Sequence, residues 1–298
     1  MHRAPRQFDV DRTRWSLQSL KKVCDWLRLR TVAGLSRLLK RLDIHYKRAR
    51  DHIHSPDPDY LAKLHDIHVH VQRSKVDPEL VIVLFQDEFT FYRQPTLASA
   101  YEISGHQQPL AERSYHSNNS WRVSAAIDIW TGRVVYIQKQ QLRLRHLIAF
   151  LCQVRDAYPT AQTIYMVVDN WPCHFHPDVL AALEPQNFRY PLHLPPDWPK
   201  EPSGLTKPYN LPIQLVPLPT YASWANPIEK LWRKLRQDEL HLHRKADDWP
   251  GLRQRVVRFL DQFAQASRDL LRYVGLQDPE KLYHSALSRI QDMQPLRE

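Results

Sequence analysis

Val81-Ile-Val-Leu-Phe85-Gln86-Asp87-Glu88 is a short apolar, β-rich run that stops abruptly in acids. At five residues it is too short for a helix and reads as a buried strand. The same pattern returns at Ile164-Tyr-Met-Val-Val168-Asp169-Asn170. Between them, Arg122 to Ile129 alternates, Trp130-Thr131-Gly132 turns, and Arg133 to Gln138 follows, which predicts an antiparallel hairpin. Leu142 to Ala157 has helical spacing, a short helix is expected after Pro177, and Leu211 to Val216 is a third strand candidate. A further helix is expected from about Asn226 to Leu240. The body is therefore α/β with a mixed sheet.

Composition removes several enzyme classes. The six glycines (Gly34, Gly105, Gly132, Gly204, Gly251, Gly275) are too far apart for a GxGxxG loop, a phosphate loop or a GxSxG elbow. No histidine precedes a glutamate, so HExxH is absent. Cys24, Cys152 and Cys173 offer neither a disulfide framework nor a CxxC pair. Histidine pairs such as His68/His70 and His174/His176 lack cysteine partners at ligand spacing, which argues against zinc. The apolar runs are too short to span a bilayer and the N-terminus has no signal-peptide core. A cytoplasmic, nucleoid-associated location is expected.

The charge is segregated. Residues 1–50 carry fourteen Lys/Arg against four acids, which accounts for the whole formal net charge of +10; the other 248 residues balance 28 of each sign. Such asymmetry marks a polyanion-binding module on a neutral body. Leu17, Leu20, Val23, Cys24 and Leu27 recur at helical spacing, and Val32, Leu35, Leu38, Leu39 and Leu42 do so again. Two short amphipathic helices fit an all-α helix-turn-helix, winged-helix-like, with the second as recognition helix. Arg37, Lys40 and Arg41 are its expected DNA-facing residues, continued by Lys47, Arg48 and Arg50. A solvated helical hairpin is the bland alternative, but a solvated face usually mixes both signs.

Two apolar strands thus each deliver an Asp at their C-terminal end, Asp87 and Asp169, and a helix opens with Glu229. Three carboxylates with few nitrogen ligands suit Mg²⁺ or Mn²⁺. Two such ions about 4 Å apart would serve an in-line phosphoryl transfer. Taken singly, each acid has a plainer role: Asp87 and Asp169 as polar strand ends, Glu229 as the reach-back partner of an Asn226 cap with Pro227 at the first helical position.

Together with Asp169-Asn170-x-x-x-His174 and Pro219-Thr-Tyr-Ala-Ser-Trp-Ala-Asn226-Pro227-Ile228-Glu229-Lys-Leu-Trp232, the block Phe85-Gln-Asp87-Glu88 resembles the three blocks of mariner-type DDE transposases, in their bacterial insertion-sequence branch. The Asn-Pro-Ile-Glu block is the most specific of the three. The resemblance covers nearly the whole chain. It implies an RNase H-like catalytic fold, Asp87, Asp169 and Glu229 as catalytic and metal-binding residues, and Glu88, Asn170, His174 and Asn226 as their supports. It further implies two Mg²⁺ ions (Mn²⁺ substituting), double-stranded DNA partners in terminal inverted repeats and a target site, and a homodimer or higher assembly. No membrane partner is expected.

The chain departs from that family in two respects. Asp169 and Glu229 are 60 positions apart, a longer interval than usual, and the surplus falls in residues 185–219, which hold ten of the 23 prolines. This stretch reads as a proline-stiffened loop beside the active edge, excluded from helix and central sheet, which either contacts DNA or a second subunit or is inert. The N-terminus has room for one helix-turn-helix and not the two often found. The expected layout is a DNA-binding module at 1–54, linker and helix at 55–78, a catalytic domain at 79–246 and C-terminal helices at 247–298. The expected function is end cleavage followed by joining of the 3′-hydroxyl to target DNA. The alternatives are a metal-dependent nuclease of the same fold and a catalytically silent, domesticated DNA-binding protein acting as a repressor.

Overall fold

Ser16 and Thr31 start the two helices of the basic segment. In the computed structural model, which describes residues 5–12, 14–46, 55–204 and 209–291, this segment belongs to the first of two units, Met1–His52 and Ile53–Glu298. Helix α1 (Leu17–Val23) has a reciprocal capping box between Ser16 and Ser19. Helix α2 (Val32–Arg41) begins where the Thr31 side chain accepts a hydrogen bond from Gly34 N. Leu20 and Leu35 are buried between them, and the described residues of this unit contain no strand. Arg37, Lys40 and Arg41 are exposed on α2, and none is paired with an acid among the described residues. Lys47, Arg48 and Arg50 lie outside the described residues.

The second unit is a five-stranded sheet in the order β3-β2-β1-β4-β5. It opens with α3 (Tyr60–Val76). Strands β1 (Val81–Tyr92), β2 (Ser120–Asp128) and β3 (Val134–Lys139) form an antiparallel meander. After α4 (Leu144–Ala157), β4 (Thr163–Val168) returns parallel to β1. The short helix α5 (Pro177–Leu180) leads to a long irregular stretch, and β5 (Ile213–Pro217) closes the sheet parallel to β4. Helix α6 (Ile228–Leu235), a π-helical turn at Arg236–Leu240, α7 (Trp249–Asp261), α8 (Arg268–Val274) and α9 (Lys281–Gln291) complete it.

Both faces of the sheet are covered. Val83, Phe85 and Val167 pack with α3, α6, α7 and α8 residues on one face; Leu84, Met166 and Val168 pack with α4 and α5 on the other. This explains why β1 and β4 are continuous apolar runs; each wholly buried Val or Leu contributes about 1.5–3 kcal/mol. The antiparallel neighbour carries β1 beyond its expected end. Pairing with β4 stops at Phe85↔Val167, while pairing with β2 continues to Tyr92↔Ser120. Asp87 therefore sits inside a strand and not at its end, because Phe89 and Phe91 supply buried anchors further along.

The described residues of the proline-rich stretch before β5 form no helix and no strand of the sheet, and are pinned to the body at several points. Tyr190 OH and Arg189 reach Asp66, Ser203 binds Asp178, and Trp198 meets His176 edge-on. Among the described residues, no helix is long and apolar enough to cross a membrane.

Candidate active site

The site is built where the sheet opens. Beyond Phe85 and Val167 the pairing of β1 with β4 ends while β1 continues, and Asp87 and Asp169 both line the mouth of the gap. Helix α6 brings Glu229 to the same place. Its entry is fixed by Asn226, buried at 4% exposure, whose Nδ2 donates to Gln86 O at 3.1 Å while Oδ1 accepts from Ile228 N. Asn226 is thus a tie between helix and strand. Its side chain is not paired with that of Glu229 among the described residues, which leaves Glu229 facing the cleft. Asp87, Asp169 and Glu229 together line one open cleft of about 480 Å³, with Asn170, Trp171 and Thr220 on its walls.

Glu229 acts on Asp87, and Asp169 acts on Glu229. Burial, then the charges of Glu229 and Glu88, push Asp87 up to about 7, against the opposing hydrogen bond from Trp232. That bond runs from Nε1 to Asp87 Oδ2 at 2.9 Å; the indole is 1% exposed and stacks on Phe89 at 5.2 Å. Burial and the Asp169 charge raise Glu229, while Arg236 and Arg233 oppose the shift. Asp169 goes the other way. Burial acts to raise it, but His174 and the Trp171 N–H hold it below the usual carboxylate range.

His174, 6% exposed, places Nε2 3.4 Å from Asp169 Oδ1 and 3.6 Å from Glu88 Oε2. Burial would lower it, but the charges of Glu88 and Asp169 outweigh burial and raise it to about 9. Those separations are ion-pair distances, too long for well-formed hydrogen bonds. Glu88 lies on the opposite face of β1 from Asp87 and accepts hydrogen bonds from Gln86 Nε2 (2.6 Å) and Ser124 Oγ (3.2 Å). Among the described residues, Glu88, Asp169 and His174 are the three that offer ligand atoms all within 4.8 Å of one another, a grouping able to hold a metal ion, whereas Asp87, Asp169 and Glu229 share the open cleft without that close a spacing. Asp169 belongs to both sets.

Two supports differ from expectation. Asn170 does not brace Asp169: its amide is spent on Leu218 O (2.9 Å) and Thr220 Oγ1 (3.3 Å), tying β4 to the loop after β5. Trp232 closes the third motif block but is not among the expected supports; its place three residues after Glu229 puts it on the same side of the helix, against Asp87.

A mixed β-meander extended by parallel strands, with acids converging where the sheet opens, defines an RNase H-like carboxylate nuclease architecture. The chain belongs to the DDE superfamily endonucleases, whose family model matches residues 82–253. It is 23% identical over 260 residues to the "Insertion element IS630 uncharacterized 39 kDa protein" of Shigella sonnei, covering 87% of this chain and 67% of that protein. Among solved structures it is similar to the Mos1 mariner paired end complex with Mn (TM-score 0.61, 15% identity, 98% of this chain and 84% of that one). It is similar too to the Mos1 paired end complex with Mg (TM-score 0.58, 16% identity, 95% and 83%).

Proposed function

We propose that the chain is a DNA transposase that binds the terminal inverted repeats of its own element, hydrolyses phosphodiester bonds at the ends and joins the freed 3′-hydroxyl to target DNA. The observation that carries this reading is the convergence of Asp87, Asp169 and Glu229 on one open cleft in a DDE superfamily fold. The donor set fits hard divalent cations. It is oxygen-rich, and Asp87 and Glu229 are held above the usual range by burial and by neighbouring carboxylates, a cost that a cation would relieve. The two similar Mos1 complexes are complexes with Mn and with Mg. When bound, a pair of Mg²⁺ or Mn²⁺ ions supplies Lewis-acid stabilisation of the attacking and leaving oxygens of an in-line displacement.

The residues of the chain supply position. Asp87, Asp169 and Glu229 are the proposed metal-binding and catalytic carboxylates. Trp232 fixes the rotamer of Asp87, Asn226 fixes the start of α6, and His174 balances the charge of Asp169 and Glu88. No side chain has to act as nucleophile. The N-terminal unit contributes sequence-tolerant phosphate binding through Arg37, Lys40, Arg41 and the basic residues that follow, with base recognition setting preference. Pairing two ends calls for a homodimer or larger assembly on DNA, placed in a bacterial nucleoid.

The test uses DNA from both flanks of the encoding gene, incubated with the full chain and Mg²⁺ or Mn²⁺, beside Asp169→Asn and Glu229→Gln. Discrete metal-dependent 3′ ends lost in both variants establish the carboxylates, and joined products distinguish a transposase from a nuclease. Salt-sensitive binding with no cut in either metal would overturn the enzyme reading in favour of a silent DNA-binding protein.

A further inference from the structure

Asp87 and Glu229 are a shared wall. On their far side from Asp169 lies a second cleft of about 370 Å³, floored by the outer half of β1 and reached by Thr90, Tyr92, Gln94 and Arg236. Its floor is unusual sheet edge. Ile129 N binds Val83 O and Arg93 N binds Asn119 O, so the odd-numbered residues of β1 direct their backbone groups to β2. The N–H and C=O groups of Glu88, Thr90 and Tyr92 therefore point the other way, past the Phe85↔Val167 pair where the pairing with β4 stops, and of these the Glu88 N–H already serves the Asp87 carboxylate. Hydrogen-bonding capacity is thus concentrated on the cleft side of the strand.

Arg236 supplies the charge. It is exposed at the start of the π-helical turn Arg236–Leu240, a kind of irregularity often found at functional sites. Its guanidinium carbon lies 5.0 Å from the centre of the Phe89 ring, which orients the planar group without consuming its donors. No carboxylate lies within ion-pair distance of it among the described residues. An oriented guanidinium in no direct ion pair, although its charge also reaches Glu229, next to strand N–H groups suits a phosphodiester, and the half-exposed Tyr92 ring offers a stacking face. A polypeptide strand added to the same edge is disfavoured, because Asn226 already takes Gln86 O and only three residues of edge remain.

We propose that this second cleft is a subsite for the polynucleotide strand that continues past the scissile phosphate, with Arg236 holding a phosphate and Tyr92 stacking on a base. The inference rests on the DNA-cutting reading above and adds a direction to it: the strand crosses the Asp87–Glu229 wall from one cleft to the other.

The experiment compares two labelled element ends by fluorescence anisotropy without divalent metal, using the full chain. One end stops at the mapped cut; the other carries several further nucleotides on the cleaved strand. Wild type is expected to bind the extended end more tightly. Arg236→Ala is expected to weaken the extended end about tenfold or more and the truncated end less than twofold. Arg236→Lys should recover part of the loss, and Thr90→Glu, which puts a carboxylate on the cleft floor, should reproduce it. Equal weakening of both ends, or of neither, overturns the subsite while wild-type cutting leaves the enzyme reading intact. No cutting by wild type in Mg²⁺ or Mn²⁺ removes that reading and the subsite with it.

Discussion

Lys63→Met should destabilise the catalytic unit by about 3–5 kcal/mol at neutral pH, the cost of stranding a buried charge by removing its partner. The Lys63 and Asp57 side chains are only 2% and 1% exposed, and Nζ lies 2.8 Å from Asp57 Oδ2. The same carboxylate accepts from Thr220 N (2.8 Å) and Asp59 N (2.9 Å), while Ser55 Oγ donates to Thr220 O. Burial acts to raise Asp57, but Lys63 and the two backbone N–H groups outweigh it and hold the carboxyl below its ordinary value. A folded-state pKa below the unfolded one means that this stabilisation is complete above the unfolded value, about 3.9. It is lost as pH falls through the folded value. In Lys63→Met the carboxyl loses its cation and titrates higher, so the deficit relative to wild type should narrow on acidification. Urea unfolding of both chains across an acid series, followed by tryptophan fluorescence, reads this directly. Asp57→Asn and the double variant complete a cycle in which the double costs less than the sum of the singles. A Lys63→Met cost below about 1 kcal/mol, the range of an exposed pair, or a deficit independent of pH, would refute the argument.

Three shorter expectations follow from other parts of the molecule. Replacing Arg37, Lys40 and Arg41 by Ala should make the salt dependence of DNA binding shallower, by about 0.9 in slope for each phosphate no longer neutralised; an unchanged slope would take α2 off the DNA. Gly132→Ala should lower stability by at least about 1–2 kcal/mol in a urea titration, since Gly132 has φ +71° and an added Cβ would stand 2.6 Å from Ser267 O. Trp232→Phe keeps an aromatic ring against Phe89 but removes the donor to Asp87, whose pKa of about 7 should then rise. The acid limb of the metal-dependent cutting profile should accordingly move to higher pH, and a profile that stays in place would separate Trp232 from Asp87 ionisation.

Much of the fold could be read from hydrophobic period alone. The runs at 81–85 and 164–168 are uninterrupted because both faces of the sheet are covered, and the hairpin around Gly132 alternates within the same sheet. The length of β1 could not be read so easily. Gln86, Asp87 and Glu88 look like the end of a strand, yet β2 pairs with them all, and only long-range pairing decides that. The roles of Asn170 and the Asp57–Lys63 pair were illegible for a related reason. Each acts on the loop after β5, about 50 and 160 positions away, and no local spacing encodes such an interaction. Arg236 was hidden differently: within a helical pattern it reads as a solvated face, and only the π-helical turn and the Phe89 ring give it a direction.

The block from Asn226 to Trp232 combines specificity and rigidity for one physical reason. Asn226 bonds to the backbone of β1 one residue before Asp87, and Pro227 caps the start of α6, where no N–H is needed. Ile228 and Leu231, both wholly buried, anchor the helix in the core. Helical spacing then turns Glu229 toward the cleft and Trp232 onto Asp87. Asn226, Ile228, Leu231 and Trp232 are thus each committed to the strand, the core or Asp87, and these commitments together fix where α6 places Glu229 relative to Asp87.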